Sequence, residues 1–139
     1  MKAISLLQPW ATLVTLGIKT IETRSWRTTY RGPILIHASQ GKAGGIFAAE
    51  PPFKKYITDF NRLPFGAIIG QATITDLIPV EMLEMTDELI NRLTMEEKAF
   101  GDYSEGRYAW ILEDPQQFTK PIPARGSLSI WEYAGEIKW

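Results

Sequence analysis

Along the first third of the chain the spacing of apolar residues switches between helical and alternating. Residues 9–16 carry Trp10, Leu13, Val14 and Leu16 at helical intervals. Pro9 opens this stretch and Gly17 closes it, the punctuation expected of a short helix. Residues 19–24 read as a short strand. After a turn over 28–32, Ile34, Leu35 and Ile36 in a row predict a buried strand over 33–38. Gly44-Gly45 and Pro51-Pro52 break the segment 41–60, which predicts one or two short helices with an exposed break. Beyond a turn at 64–66, Ile68, Gly70, Ala72 and Ile74 share one face of a strand over 67–77. Thr86 or Asp87 is expected to cap a helix running through Leu93, and Thr94 with Glu97 forms a capping box ahead of Phe100. Residues 107–113 predict a strand with Tyr108, Trp110 and Leu112 on one face. Asp114-Pro115 predicts a turn, 118–122 an extended segment, 123–126 another turn, and 127–133 a final strand. Five or six short strands with a few inserted helices predict an α+β fold around a small barrel.

Composition narrows the chemistry. The 139 residues suit one domain over 1–139, large enough to fold without staples. The absence of cysteine excludes disulfides, thiolate metal sites and cysteine catalysis, and suits a reducing cytoplasm. A single histidine, His37, excludes a multi-histidine metal site, so neither metal nor cofactor is expected. The apolar runs are too short to span a bilayer and no signal peptide is evident, so no membrane partner is expected. Nothing in the chain specifies an oligomeric state. The net charge of −1 conceals an asymmetry: residues 1–60 sum to +5 and residues 61–139 to −6. Such a balance allows a basic face toward an anionic partner and argues against bulk electrostatic binding of long nucleic acid.

The densest candidate chemistry lies in Gly17, Lys19, Glu22 and Arg24. In a strand, period two places Glu22 and Arg24 on one face with Thr20, while Lys19 at the strand's start can swing to either side. Two readings follow. The three charges form a structural ion pair across the sheet, or Arg24 holds a phosphate while Glu22 fixes Lys19. His37 ends an apolar run, either as a general acid/base with an ordinary pKa of ~6.5 or as a satisfied structural residue. Trp26 is the best candidate for stacking on a base, and Tyr108 follows because its hydroxyl can reach toward the motif. Trp110 and Trp131 lie in apolar strands and read as core. Arg31 and Lys42 are candidate phosphate contacts or solvated charges. Gln8 either reads a base edge or caps the adjacent helix. Residues 41–45 (Gly-Lys-Ala-Gly-Gly) lack the spacing of a phosphate-binding P-loop and the hydroxyl after its lysine.

Three blocks carry a resemblance. The first is Ser5-Leu6-Leu7-Gln8-Pro9-Trp10-Ala11 with Gly17-Ile18-Lys19-Thr20-Ile21-Glu22-Thr23-Arg24-Ser25-Trp26, which contains a G-x-K-x-x-E-x-R element. The second is Tyr30-Arg31-Gly32-Pro33-Ile34-Leu35-Ile36-His37-Ala38-Ser39. The third runs from Gly106-Arg107-Tyr108-Ala109-Trp110 through Pro121-Ile122-Pro123 to Gly126 and Trp131-Glu132. In this order they resemble the ASCH domain of the PUA-like superfold. The resemblance implies a PUA-like β-barrel with helices at its ends and a cleft beside the motif strand that takes RNA or a nucleotide. Taken with the residue readings above, the expected ligand set is Gln8, Lys19, Glu22, Arg24, Trp26, Arg31, His37 and Tyr108. The resemblance also implies an alternative, because some small relatives hydrolyse N-acylated cytidine and a few are ribonucleases. An enzyme of that kind would use Lys19 or Glu22 as base, with Arg24 and Tyr108 stabilising charge. In the acylcytidine hydrolases the lysine works with a threonine nucleophile and a distant glutamate. Here Glu22 stands at the threonine's place, and Glu96 or Glu97 would be the distant carboxylate. The leading expectation is a module that binds RNA or a modified nucleotide or nucleoside. A protein-interaction domain that has lost its ligand is the third reading, and the retained charged motif argues against it.

Overall fold

The computed structural model describes residues 1–85 and 87–137. Six strands form one curled sheet, a half-barrel flanked by short helices, which places the chain in the α+β class. The strands are β1 (Lys2–Leu6), β2 (Ile21–Arg24), β3 (Gly32–Ala38), β4 (Ala67–Pro79), β5 (Tyr108–Pro123) and β6 (Ile130–Glu132). The helices are α1 (Trp10–Thr15), α2 (Gly45–Ala48), α3 (Phe53–Tyr56), α4 (Asp87–Arg92) and α5 (Met95–Ala99). The strand order is β2-β5-β4-β3-β1-β6, and β1 with β3 is the parallel pair among antiparallel ones. Among the described residues no helix is long and apolar enough to cross a membrane.

The main core lies between the concave face of the sheet and α1. Ala11 and Val14 of the helix pack with Ile34, Ile36, Ala72, Ile74 and Trp110. α1 ends as its sequence predicts. Gly17 takes a positive φ of 78°, and the Ile18 and Lys19 amides both donate to the Leu13 carbonyl at 3.0 Å. That turn reverses the chain and delivers it into β2.

Three elements differ from the sequence reading. Residues 2–6 form β1, a strand the apolar pattern did not mark, held in the sheet by β3 on one side and β6 on the other. Asp114-Pro115 is not a turn. β5 runs through it, with Asp114 at φ 49° and register shifts along the β4–β5 pairing that let the long strands bend. The expected capping box is half made. Thr94 Oγ1 accepts the Glu97 amide at 3.1 Å, but the Glu97 carboxylate turns to Thr20 rather than back to residue 94. The alternative cap at Thr86 lies outside the described residues.

Candidate functional site

β2 presents Glu22 and Arg24 on one face, as period two requires, beside a cleft of about 470 Å³. Arg24 donates from Nε (3.2 Å) and Nη2 (3.1 Å) to Glu22 Oε2, and from Nη2 to the Ser5 carbonyl of β1 at 3.2 Å. Arg107, just ahead of β5, donates to the Asp102 carbonyl (3.0 Å) and the Thr23 carbonyl (2.9 Å). Each guanidinium therefore keeps Nη1 without a partner among the described residues. Both groups line the cleft.

The facing wall is aromatic. Trp10, Phe47, Phe53 and Phe100 come from α1, α2, α3 and the end of α5. Trp10 is fixed by donation from Nε1 to the Phe100 carbonyl at 2.7 Å and packs on Phe47 at 5.3 Å and Phe53 at 5.8 Å. Phe47 remains exposed. α2 approaches this closely because residue 44 is glycine, where a Cβ would stand 1.9 Å from the Gln8 carbonyl oxygen.

Lys19 is not in the cleft wall but behind it, at 1% exposure. The reversal after Gly17 turns its side chain inward. Its Nζ donates to the Ile21 carbonyl and lies 3.6 Å from Glu22 Oε1. Gly101 lines the cleft over this ammonium, and a Cβ at 101 would stand 3.7 Å from Lys19 Nζ and 3.0 Å from the Tyr103 ring. Glu97 arrives from α5 at 3% exposure, with Oε1 accepting from Thr20 N and Thr20 Oγ1 at 2.7 Å each. Three buried polar atoms in this region have no hydrogen-bond partner among the described residues: Glu97 Oε2, the Tyr103 hydroxyl and Trp110 Nε1. Burial first, and then the Glu97 and Glu22 charges, hold the Tyr103 phenol well above its ordinary range.

A second cleft of about 830 Å³ adjoins the first and shares Ser5, Arg24 and Ser39 with it. His37 borders this second cleft and does not line the first. Its Nε2 donates to the Ala124 carbonyl at 2.8 Å, because a carbonyl can only accept. Its Nδ1 then accepts the Ser5 hydroxyl at 2.9 Å, and Ser5 Oγ accepts Trp131 Nε1 at 3.1 Å. Both ring nitrogens are occupied by the protein.

The other sequence candidates are dispersed. Gln8 is fully buried with both amide ends bonded, Nε2 to the Pro64 carbonyl and Oε1 to the Thr12 amide, each at 3.0 Å. It caps α1 and does not line the first cleft. Trp26 packs edge-on against Trp110 at 4.9 Å and lies outside the cleft lining. The ring of Tyr108 meets the Arg27 guanidinium at 5.5 Å in a separate pocket and does not line the first cleft. Arg31 donates to the Thr28 and Tyr30 carbonyls and borders a different surface depression. Lys42 sits 5.1 Å over the Phe65 ring. Among the described residues, no three His, Asp or Glu side chains converge as metal ligands do. The sequence reading missed Phe47, Arg107 and Tyr103. Arg107 was signalled by its place at the head of the strand that pairs with β2, whereas Phe47 and Tyr103 sit in segments whose pattern carries no periodic signal.

Comparison with known proteins places this arrangement. The chain matches the ASCH domain over residues 4–122 and belongs to that family. It is 26% identical over 140 residues to Activating signal cointegrator 1 of mouse and of human, covering 96% of this chain. That match spans 22% of the length of those relatives, about a fifth. The crystal structure of ASCH from Zymomonas mobilis superposes with a TM-score of 0.53 at 23% identity, covering 87% of this chain and 71% of that one. A serine-to-alanine variant of the same protein gives 0.54 at 23% identity, covering 87% and 72%. These structures establish the PUA-like fold and nothing about ligand or activity.

Proposed function

We propose that this ASCH domain binds RNA, and that the 470 Å³ cleft receives one nucleotide of a single strand. The family is associated with RNA binding. The observation that carries the reading for this chain is the pairing of an aromatic wall, whose Phe47 is exposed, with two guanidinium groups whose Nη1 atoms have no partner among the described residues. A base stacks on Phe47 and Trp10, contributing about 1–3 kcal/mol. A phosphate takes the free N–H groups of Arg24 and Arg107. Glu22 holds Arg24 in position, and Lys19 from below neutralises Glu22. The test is calorimetric titration with nucleoside 5′-monophosphates and a short single-stranded RNA. Arg24→Ala is expected to weaken binding by more than about 1 kcal/mol. Equal affinity in wild type and variant contradicts the assignment.

A second reading, hydrolysis of a modified nucleoside or of RNA, is favoured by one observation. Glu97 Oε2 and the Tyr103 hydroxyl are buried without partners in the region of Lys19, as groups that exchange protons with a substrate would be. N-acylcytidine is not the expected substrate, because Glu22 has no hydroxyl to acylate. Cytidine release that disappears in Lys19→Ala would refute that exclusion.

A further inference from the structure

The first cleft is poorly suited to hold more than one phosphate. Glu22 and Asp102 line it together with Arg24 and Arg107, so its charges nearly cancel. The second cleft differs. Arg24 and Arg125 line it, and no carboxylate does. Arg125 is exposed and has no ion-pair partner among the described residues. Ser127 and Ser129 add hydroxyls, and Leu128, 93% exposed, offers an apolar contact at the loop tip.

The loop that carries these groups is held in place before any ligand arrives. Its first residue, Ala124, is tied by its carbonyl to His37 Nε2 at 2.8 Å and by its amide to the Gly66 carbonyl at 3.1 Å. Gly126 lies so close to the strands that a Cβ would stand 2.5 Å from Ser5 Oγ and 2.7 Å from His37 Cε1. A preformed loop binds without an added ordering cost.

We propose that the second cleft binds the sugar-phosphate backbone that continues from the nucleotide in the first, with a phosphodiester between Arg24 and Arg125. The inference rests on the nucleotide reading of the first cleft and extends it: the ligand is a single strand of at least two nucleotides, not a free nucleotide. The continuity is structural, since Ser5, Arg24 and Ser39 belong to both clefts.

The test compares a mixed-sequence single-stranded pentaribonucleotide with the corresponding monophosphates, on wild type, Arg125→Ala and Arg125→Glu. Because the Arg125 side chain is exposed and makes no hydrogen bond or ion pair among the described residues, the variants should melt with the wild type. Arg125→Ala is expected to weaken the pentanucleotide about three- to tenfold, and Arg125→Glu more. The salt slope of pentanucleotide binding should shrink by about 0.7, the value for one phosphate on a single strand. Monophosphate affinity should not change. If the pentanucleotide binds wild type and both variants alike with one salt slope, or binds no tighter than a monophosphate, the second-cleft assignment falls while the first stands. If neither probe binds wild type, both fall.

Discussion

Two buried polar groupings flank the same arginine, and they are built to opposite standards. Around His37 every donor and acceptor is matched: Trp131 to Ser5, Ser5 to His37, His37 to the Ala124 carbonyl. Behind the first cleft, Glu97 and Tyr103 each leave a buried polar atom without a partner, and Lys19 reaches Glu22 only at 3.6 Å. Complete pairing stabilises and rigidifies, whereas an unpaired buried group costs about 1–3 kcal/mol that folding has to cover elsewhere. The contrast suggests different roles. The histidine network is scaffold that fixes a loop, and the lysine–glutamate grouping stands behind the cleft proposed to take the nucleotide.

Perturbing each grouping sharpens or breaks this contrast. The largest effect is expected for Lys19→Met, which takes the buried ammonium from the Ile21 carbonyl and from Glu22 Oε1, leaving Glu22 with Arg24 alone. A loss of about 3 kcal/mol in urea unfolding is expected, with weaker nucleotide binding. A loss below about 1 kcal/mol would show that the ammonium is not integral to the fold. His37→Ala should cost about 2 kcal/mol, because it strands the Ser5 hydroxyl and the Ala124 carbonyl. Monophosphate affinity should survive it, and a parallel loss of that affinity would erase the distinction between scaffold and site. Tyr103→Phe is the smallest. Removing a buried, unpaired hydroxyl should raise stability by about 1 kcal/mol at neutral pH. Its signature is alkaline. Since the fold raises the phenol's pKa, the neutral form is favoured in the native state, and that contribution is complete below the ordinary phenol range and lost as pH rises from that range toward the raised native value. Wild type should therefore lose stability above pH ~10 faster than Tyr103→Phe, as read by unfolding midpoints across that range. Identical alkaline profiles would place Tyr103 in contact with water.

Much of this was readable in the sequence, and the rest failed for identifiable reasons. Alternation put Glu22 and Arg24 on one face, and Pro9 with Gly17 bounded α1 within a residue or so. The burial of Lys19 was not readable. It depends on two successive amides sharing the Leu13 carbonyl, a detail of one turn. Glu97 looked like half of a capping box because Thr94 precedes it by three residues, and local pattern cannot announce a competing partner 77 residues away at Thr20. β1 escaped notice because five residues carry too few alternations to register, although neighbours on both sides make it a central strand. Asp114-Pro115 has the composition of a turn but sits in a strand that bends at bulges, where a left-handed residue serves equally well. Trp26 offered the right side chain for stacking in the right neighbourhood, and the edge of Trp110 holds it instead.

The central claim is that a nucleotide enters the first cleft, between the Trp10–Phe47 wall and Arg24. Two-dimensional ¹H–¹⁵N spectra recorded during titration with a nucleoside 5′-monophosphate test it most directly, since the indole N–H signals report on separate regions. The Trp10 indole, bonded to the Phe100 carbonyl inside the cleft wall, should shift together with the backbone amides of Arg24 and Gly101, while the Trp26 indole, packed on Trp110 and outside the cleft lining, stays in place. Shifts centred on Trp26 and Tyr108 with Trp10 unmoved, or no shifts at millimolar nucleotide, would contradict the account.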